Sequence, residues 1–192
     1  IISGLYLGSN TVSAQSSTDC LGVKDVFQIQ QSTVSELSSI MNGKSFYADK
    51  DAENNTEDYF DYDLNLKSSF WSGSRSGLGK MGVYSMGPRK NLVIYQAGSQ
   101  CYKQLFGLYE KFPAKNSSSN QKCKRSVYSA PNDKTIEFRQ YFSEYGDKQY
   151  SILVYSNTEL NASIANAKRV KAQAEEEVRR QQEAELAQQR EK

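Results

Sequence analysis

The sequence predicts an α+β domain: an antiparallel sheet with two packed helices, followed by a long C-terminal helix. Three observations carry this. Short stretches alternating apolar and polar residues recur along the chain, and the last two are joined by a hairpin-like turn. Two segments with helical apolar spacing and capping signals interrupt them. From Asn157 the chain becomes rich in Ala, Glu, Gln, Arg and Lys, with no Gly, Pro or aromatic residue.

Residues 1–14, IISGLYLGSNTVSA, read as the end of a secretory signal peptide. Ile1, Ile2, Leu5, Tyr6 and Leu7 form an apolar run, and Val12 and Ala14 are small residues at the positions signal peptidase reads. The globular domain is expected over 15–157. In it DVFQIQ, residues 25–30, alternates Phe27 and Ile29 with polar neighbours and predicts a strand. Thr33 and Glu36 then form a capping box, and Val34, Leu37, Ile40 and Met41 share a helical face closed by Asn42-Gly43. Ser45 to Ala48 reads as a short strand.

An acidic loop, 49–58, precedes YFDYDLNL, where Phe60, Tyr62, Leu64 and Leu66 oppose Asp61, Asp63 and Asn65; this predicts a half-exposed strand. After a glycine-rich stretch, Asn91 to Ala97 is a further strand. Residues 98–113 predict a helix with Tyr102, Leu105, Phe106, Tyr109 and Phe112 on one face, Ser99 as cap and Pro113 as stop. The polar loop 114–122 leads to a strand near Lys124–Tyr128. Then KTIEFRQYF and KQYSILVYS predict a hairpin across Glu144 to Asp147. Both halves share a rough β-α-β-β plan, as a diverged duplication would, although their residues do not match closely.

Residues 158–192 predict a charged helix. Leu160, Ile164, Ala167, Ala174 and Val178 lie near heptad spacing, but Lys171 and Gln181 interrupt the seam. The first two turns are expected to dock. Beyond them the helix is a solvated spacer, with a coiled-coil oligomerisation arm as the alternative.

The chain contains no histidine, which excludes Ser-His-Asp and Cys-His catalysis and His-ligated zinc. A net charge of +2 leaves no electrostatic footprint for nucleic acid. No apolar run is long enough to span a bilayer. Among the three cysteines, export favours one disulfide, expected between Cys101 and Cys123, with Cys20 left over.

Four motifs invite chemistry. GLGKMG, residues 77–82, spells G-x-G-x-x-G, but a polar, turn-like segment precedes it and Gly87-Pro88 interrupts the residues after it, so the strand-to-helix setting of a phosphate cradle is missing. The simpler reading is a mobile loop between strands. That loop is basic at Arg75, Lys80, Arg89 and Lys90, with Trp71 at its entrance, and is a candidate contact for an acidic partner or a glycan. Asp49, Asp51 and Glu53 have the spacing of the first calcium ligands of an EF-hand, but Phe60 stands where the closing Glu belongs. Asp61 and Asp63 form a weak carboxylate pair of the kind glycosidases use, with a solvated strand face as the simpler reading.

No cofactor is expected. The reading is a periplasmic or extracellular binding or assembly protein without enzymatic activity, with an unidentified protein partner and no membrane span. An inhibitor or immunity-type protein against a hydrolase of the same compartment is the alternative.

Overall fold

The computed structural model describes residues 20–52, 56–75, 77–142 and 147–190. The signal-like residues 1–14, Glu53 of the acidic loop and Glu144 to Gly146 of the expected turn lie outside the described residues.

Eight strands form one antiparallel sheet in the order β1-β2-β3-β4-β8-β7-β6-β5. They are β1 Phe46–Ala48, β2 Ser68–Gly73, β3 Lys80–Gly87, β4 Lys90–Gln96, β5 Asn116–Ser119, β6 Cys123–Ala130, β7 Lys134–Phe142 and β8 Lys148–Ser156. The helices are α1 Val23–Gln30, α2 Val34–Gly43, α3 Glu57–Phe60, α4 Ser99–Tyr109 and α5 Asn157–Arg190. The repeating unit differs from the β-α-β-β plan. Each half is a helix followed by a four-stranded meander, α2 with β1–β4 and α4 with β5–β8. The halves meet at a central seam where β4 pairs with β8, Val93 opposite Val154 and Gln96 opposite Ser151.

Helices cover both faces of the sheet. On the first, α1, α2 and α4 bury Val26, Ile29, Leu37, Met41, Tyr102 and Leu105 against Phe46, Tyr95, Ile136, Phe138 and Ile152. On the second, α3, the segment after it and the start of α5 pack Tyr59, Phe60, Leu64, Leu160 and Ile164 against Tyr84, Ile94, Leu153 and Tyr155.

Residues 25–30 are a helix, not a strand. Their buried residues Val26, Ile29 and Gln30 follow helical spacing, which outweighs the alternation of Phe27 and Ile29. The Asp25 carboxylate accepts a hydrogen bond from the Gly22 N–H at 2.8 Å, satisfying the open helix start. At the other end Asn91 Nδ2 donates to the carbonyls of Ile29 and Ser32, fixing α1 over the seam. The capping box of α2 forms as expected: the Glu36 N–H donates to Thr33 Oγ1, and the Thr33 N–H to Glu36 Oε2.

YFDYDLNL is not a strand either. Thr56 Oγ1 accepts from the Leu64 N–H at 2.8 Å and donates to the Tyr62 carbonyl, closing the segment into a turn. Asp61 and Asn65 take left-handed conformations, φ 59° and 47°, which break any extended run. The apolar alternation is nonetheless meaningful, because Phe60, Tyr62, Leu64 and Leu66 all join the second-face core. The loop 114–122 contributes the exposed edge strand β5. The helix after Gly98 ends at Tyr109, and Phe112 is exposed.

The disulfide expectation is corrected: Cys101 bonds Cys20, with Cα atoms 5.2 Å apart, and Cys123 is free. Cys101 sits on the inner, first-face side of α4, where the chain leading into α1 passes; Cys123 begins β6, and its neighbour across the ladder is Tyr141. No helix among the described residues is long and apolar enough to cross a membrane.

Helix α5 docks further than the two turns expected. Lys90 pairs with Glu159, Leu160 is buried, and Lys168 and Lys171 lie over the Tyr62 ring. Beyond Lys171 its described residues are exposed apart from partly covered Glu176. At about 1.5 Å per residue the helix projects about 28 Å further.

Candidate binding cleft

The seam creates a cleft. Strand β4 ends at Gln96 and the chain turns away through Ala97 and Gly98 into α4. The β7–β8 hairpin runs on past that point to Phe142 and Lys148. The divergence opens a space of about 750 Å³ between Ser99 of α4, Lys148 to Ser151 of β8, Tyr141 of β7 and Asp58 and Tyr59 of α3.

Tyr59 organises its floor. The Tyr59 hydroxyl accepts from Gln96 Nε2 at 3.2 Å and lies 3.5 Å from the Ser151 hydroxyl. Its carbonyl accepts from Arg139 Nη1 at 2.8 Å, and the guanidinium stacks over its ring. Arg139 also donates to the Tyr141 hydroxyl at 3.1 Å. Beneath lies Glu137, fully buried and bound by Arg125, Arg139 and the Tyr155 hydroxyl. Burial pushes the Glu137 carboxyl up, but the hydrogen bonds and charges of the two guanidiniums outweigh it and hold the group below its ordinary value. A buried carboxylate needs such partners, and here they also anchor α3 over the sheet. Burial raises the Tyr141 hydroxyl more than the contact with Arg139 lowers it.

This floor offers amide, hydroxyl and ammonium groups with aromatic surface, a chemistry of polar recognition. Among the described lining residues Asp58 is the one carboxylate, where glycoside cleavage uses two. Asp63 is engaged locally, accepting from Thr56 Oγ1 and the Asn65 N–H. Burial pushes the Cys123 thiol up despite nearby Arg139, so it is protonated at neutral pH.

The sequence-derived contact set does not form one patch. Trp71 is 5% exposed and packs in the first-face core, with no partner for its Nε1 among the described residues. Arg75 and Lys80 are exposed at one end of the β3–β4 hairpin. Arg89 stands in the turn at the other end, roughly 24 Å along the strand, and pairs with Glu36 at 2.7 Å. Lys80 lines a smaller hollow of about 300 Å³ with Asp51, Phe70 and Gln96.

The glycine motif has a structural explanation. No helix opens at it: Gly77 to Gly79 form the turn that enters β3. The Tyr95 hydroxyl donates to the Leu78 carbonyl at 2.6 Å, and Leu78 is buried. Gly79 has φ +84°, and a Cβ there would stand 2.0 Å from the Gln96 carbonyl oxygen. Gly79 thus lets the loop press onto the end of β4.

In the acidic loop, Asp49 accepts from the Ser72 hydroxyl at 2.6 Å, which holds its carboxyl below the ordinary range. Among the described residues no three His, Cys, Asp or Glu side chains are grouped to hold a metal ion.

Sequence reasoning missed Tyr59, Gln96, Arg139 and Ser151. The available signal was Glu137 and Arg139 on alternate positions of a strong strand, opposite the apolar Ile136 and Phe138. No family model matches the chain, and searches of curated proteins and of solved structures return no match.

Proposed function

We propose that the chain is an exported, non-enzymatic binding and assembly protein, whose sheet domain engages a protein partner and whose helix α5 serves as a spacer. The observation that carries this reading is the helix itself. Past Lys171 its described residues are exposed apart from partly covered Glu176, and Val178 and Leu186 are half exposed. Arg179 and Arg180 pair with Glu176, and Arg179 with Glu183, within the helix. Such pairs at (i, i+3) and (i, i+4) support a solvated helix by a few tenths of a kcal/mol each. A rigid arm beside a domain with a preformed polar cleft suits attachment at a distance rather than turnover. Export is supported by the Cys20–Cys101 disulfide, since such bonds persist in periplasmic or extracellular surroundings.

The test compares the full chain with a form ending at Lys171, which keeps every docked turn. Both are measured by light scattering and used to capture partners from periplasmic or secreted fractions. The spacer reading expects two monomers that capture the same partner. An oligomer formed only by the full chain would make α5 an assembly device. Turnover of a substrate by either form, abolished by Asp58→Asn, would sink the non-enzymatic reading.

A further inference from the structure

The first face of the sheet carries a second hollow, which adjoins the seam cleft and shares Lys148 and Tyr150 with it but differs in character. It measures about 230 Å³ and lies between α4 and strands β6 to β8. Its floor is aromatic. Tyr102 lies 4.7 Å from Tyr150 and 5.9 Å from Phe106, ring centre to ring centre. Its rim is cationic: Lys103 comes from α4, Lys124 from β6 and Lys148 from β8. The register explains the gathering. Lys124 opposes Gln140, which opposes Tyr150, so lysine and tyrosine share a row of the first face about 10 Å across.

All three lysines are exposed, and none has an ion pair within 4.0 Å among the described residues. No carboxylate is among the described residues that line the hollow. Elsewhere the protein does place acids on its cations, at Lys44–Asp25, Arg89–Glu36 and Lys90–Glu159. Three positive charges, without an acidic partner among the described residues, around an apolar floor form a field that attracts anions and a surface that rewards an apolar side chain.

We propose that this groove docks an acidic peptide segment of the partner, an apolar side chain against Phe106 and Tyr150 with flanking carboxylates on Lys103, Lys124 and Lys148. This rests on the binding-protein reading and names the partner's chemistry. Charge complementarity selects an anion. Ring exposure favours a peptide: Tyr102 is 7% exposed, and Phe106 and Tyr150 are partly buried, which limits the ring area left for a base or a sugar to stack on. Lysine ammonium groups act as point charges, suited to separate carboxylates rather than to bidentate phosphate recognition.

The test measures fluorescence anisotropy of a labelled octapeptide with Asp and Glu flanking a central Phe-Leu, against the full chain. The expected result is saturable binding that weakens as salt rises from about 0.05 to 0.5 M. The combined K103Q, K124Q and K148Q variant should lose about tenfold or more in affinity. Removing three charges elsewhere, with K24Q, K50Q and K67Q, should leave it unchanged. Charge reversal at the same three groove positions should transfer binding to a Lys-containing octapeptide, which no general loss of folding would produce. Equal affinity of the groove variant and the parent overturns the proposal. So does tighter groove-dependent binding of an oligothymidylate or a sulfated oligosaccharide. If the captured partner is still held after the groove substitutions, the groove assignment falls and the binding-protein reading stands. If the peptide binds through the groove but no partner is ever captured, the reverse holds.

Discussion

Replacing Cys20 and Cys101 together by alanine tests the covalent architecture. The bond closes a loop with a sequence separation of 81 and ties the chain before α1 to α4 of the other half. On the chain-entropy relation a loop of this length stabilises the folded state by about 4.5 kcal/mol, against roughly 3 for the shorter Cys101–Cys123 loop. In a domain of this size that corresponds to a fall in Tm of about 9–18 °C. Alanine at position 101 avoids burying a hydroxyl, since Cys101 is 2% exposed. The assay is urea unfolding of the parent, the double variant and Cys123→Ala, each with and without reductant. The parent should lose most of the difference when reduced, the double variant should be insensitive, and Cys123→Ala should match the parent. Peptide mapping without reductant identifies the bond directly. A linked Cys101–Cys123 peptide, or a Cys123→Ala variant as weak as the double variant, would refute the reasoning.

Four further outcomes are expected. Glu137→Gln removes the charge between Arg125 and Arg139 while keeping the shape, and should cost about 3–5 kcal/mol in urea unfolding because two guanidiniums are left against a neutral group. Gly79→Ala should destabilise by more than about 1 kcal/mol, since it strains a positive φ and drives Cβ onto the Gln96 carbonyl. Gly77→Ala meets nothing within 4 Å and should stay within about 0.5 kcal/mol of the parent; equal losses for both would contradict the packing described. Asp133 accepts from the Thr158 N–H and the Ser156 hydroxyl at the start of α5, and these bonds lower its carboxyl from 3.8 to about 2. Its folded value is depressed, so its contribution is full above pH 4 and is lost as the pH falls from about 4 through 2. The difference in helical circular dichroism between the parent and Asp133→Asn should shrink over that window; a constant difference would sink the assignment.

The antiparallel sheet, the α2 capping box, the C-terminal helix and the β7–β8 hairpin were legible because each has a local, periodic signal. The errors share one cause. In DVFQIQ two apolar residues happen to alternate, and only burial beneath the sheet distinguishes a short helix from a short strand. In YFDYDLNL the apolar face is real, but Thr56 imposes a turn from outside the pattern through its side chain. The cysteine pairing depends on where α4 meets the chain before α1, which spacing does not encode. Lys80 was legible as an exposed cation, but it lines the smaller hollow rather than the cleft. Tyr59, Gln96, Ser151 and Arg139 converge from separate elements across the seam, so no local window contains them.

The seam also has a consequence for assembly in time. Within each half every strand pairs with its sequence neighbour, so each meander can form through rapid local contacts. The pairing of Val93 with Val154 is the distant step and should come last. Until then the open edges of β4 and β8 are exposed, and either could receive its complement from another molecule, the route to a domain-swapped dimer. By joining the two halves early, the Cys20–Cys101 bond would raise the local concentration of the correct edge and steer the chain toward closing on itself.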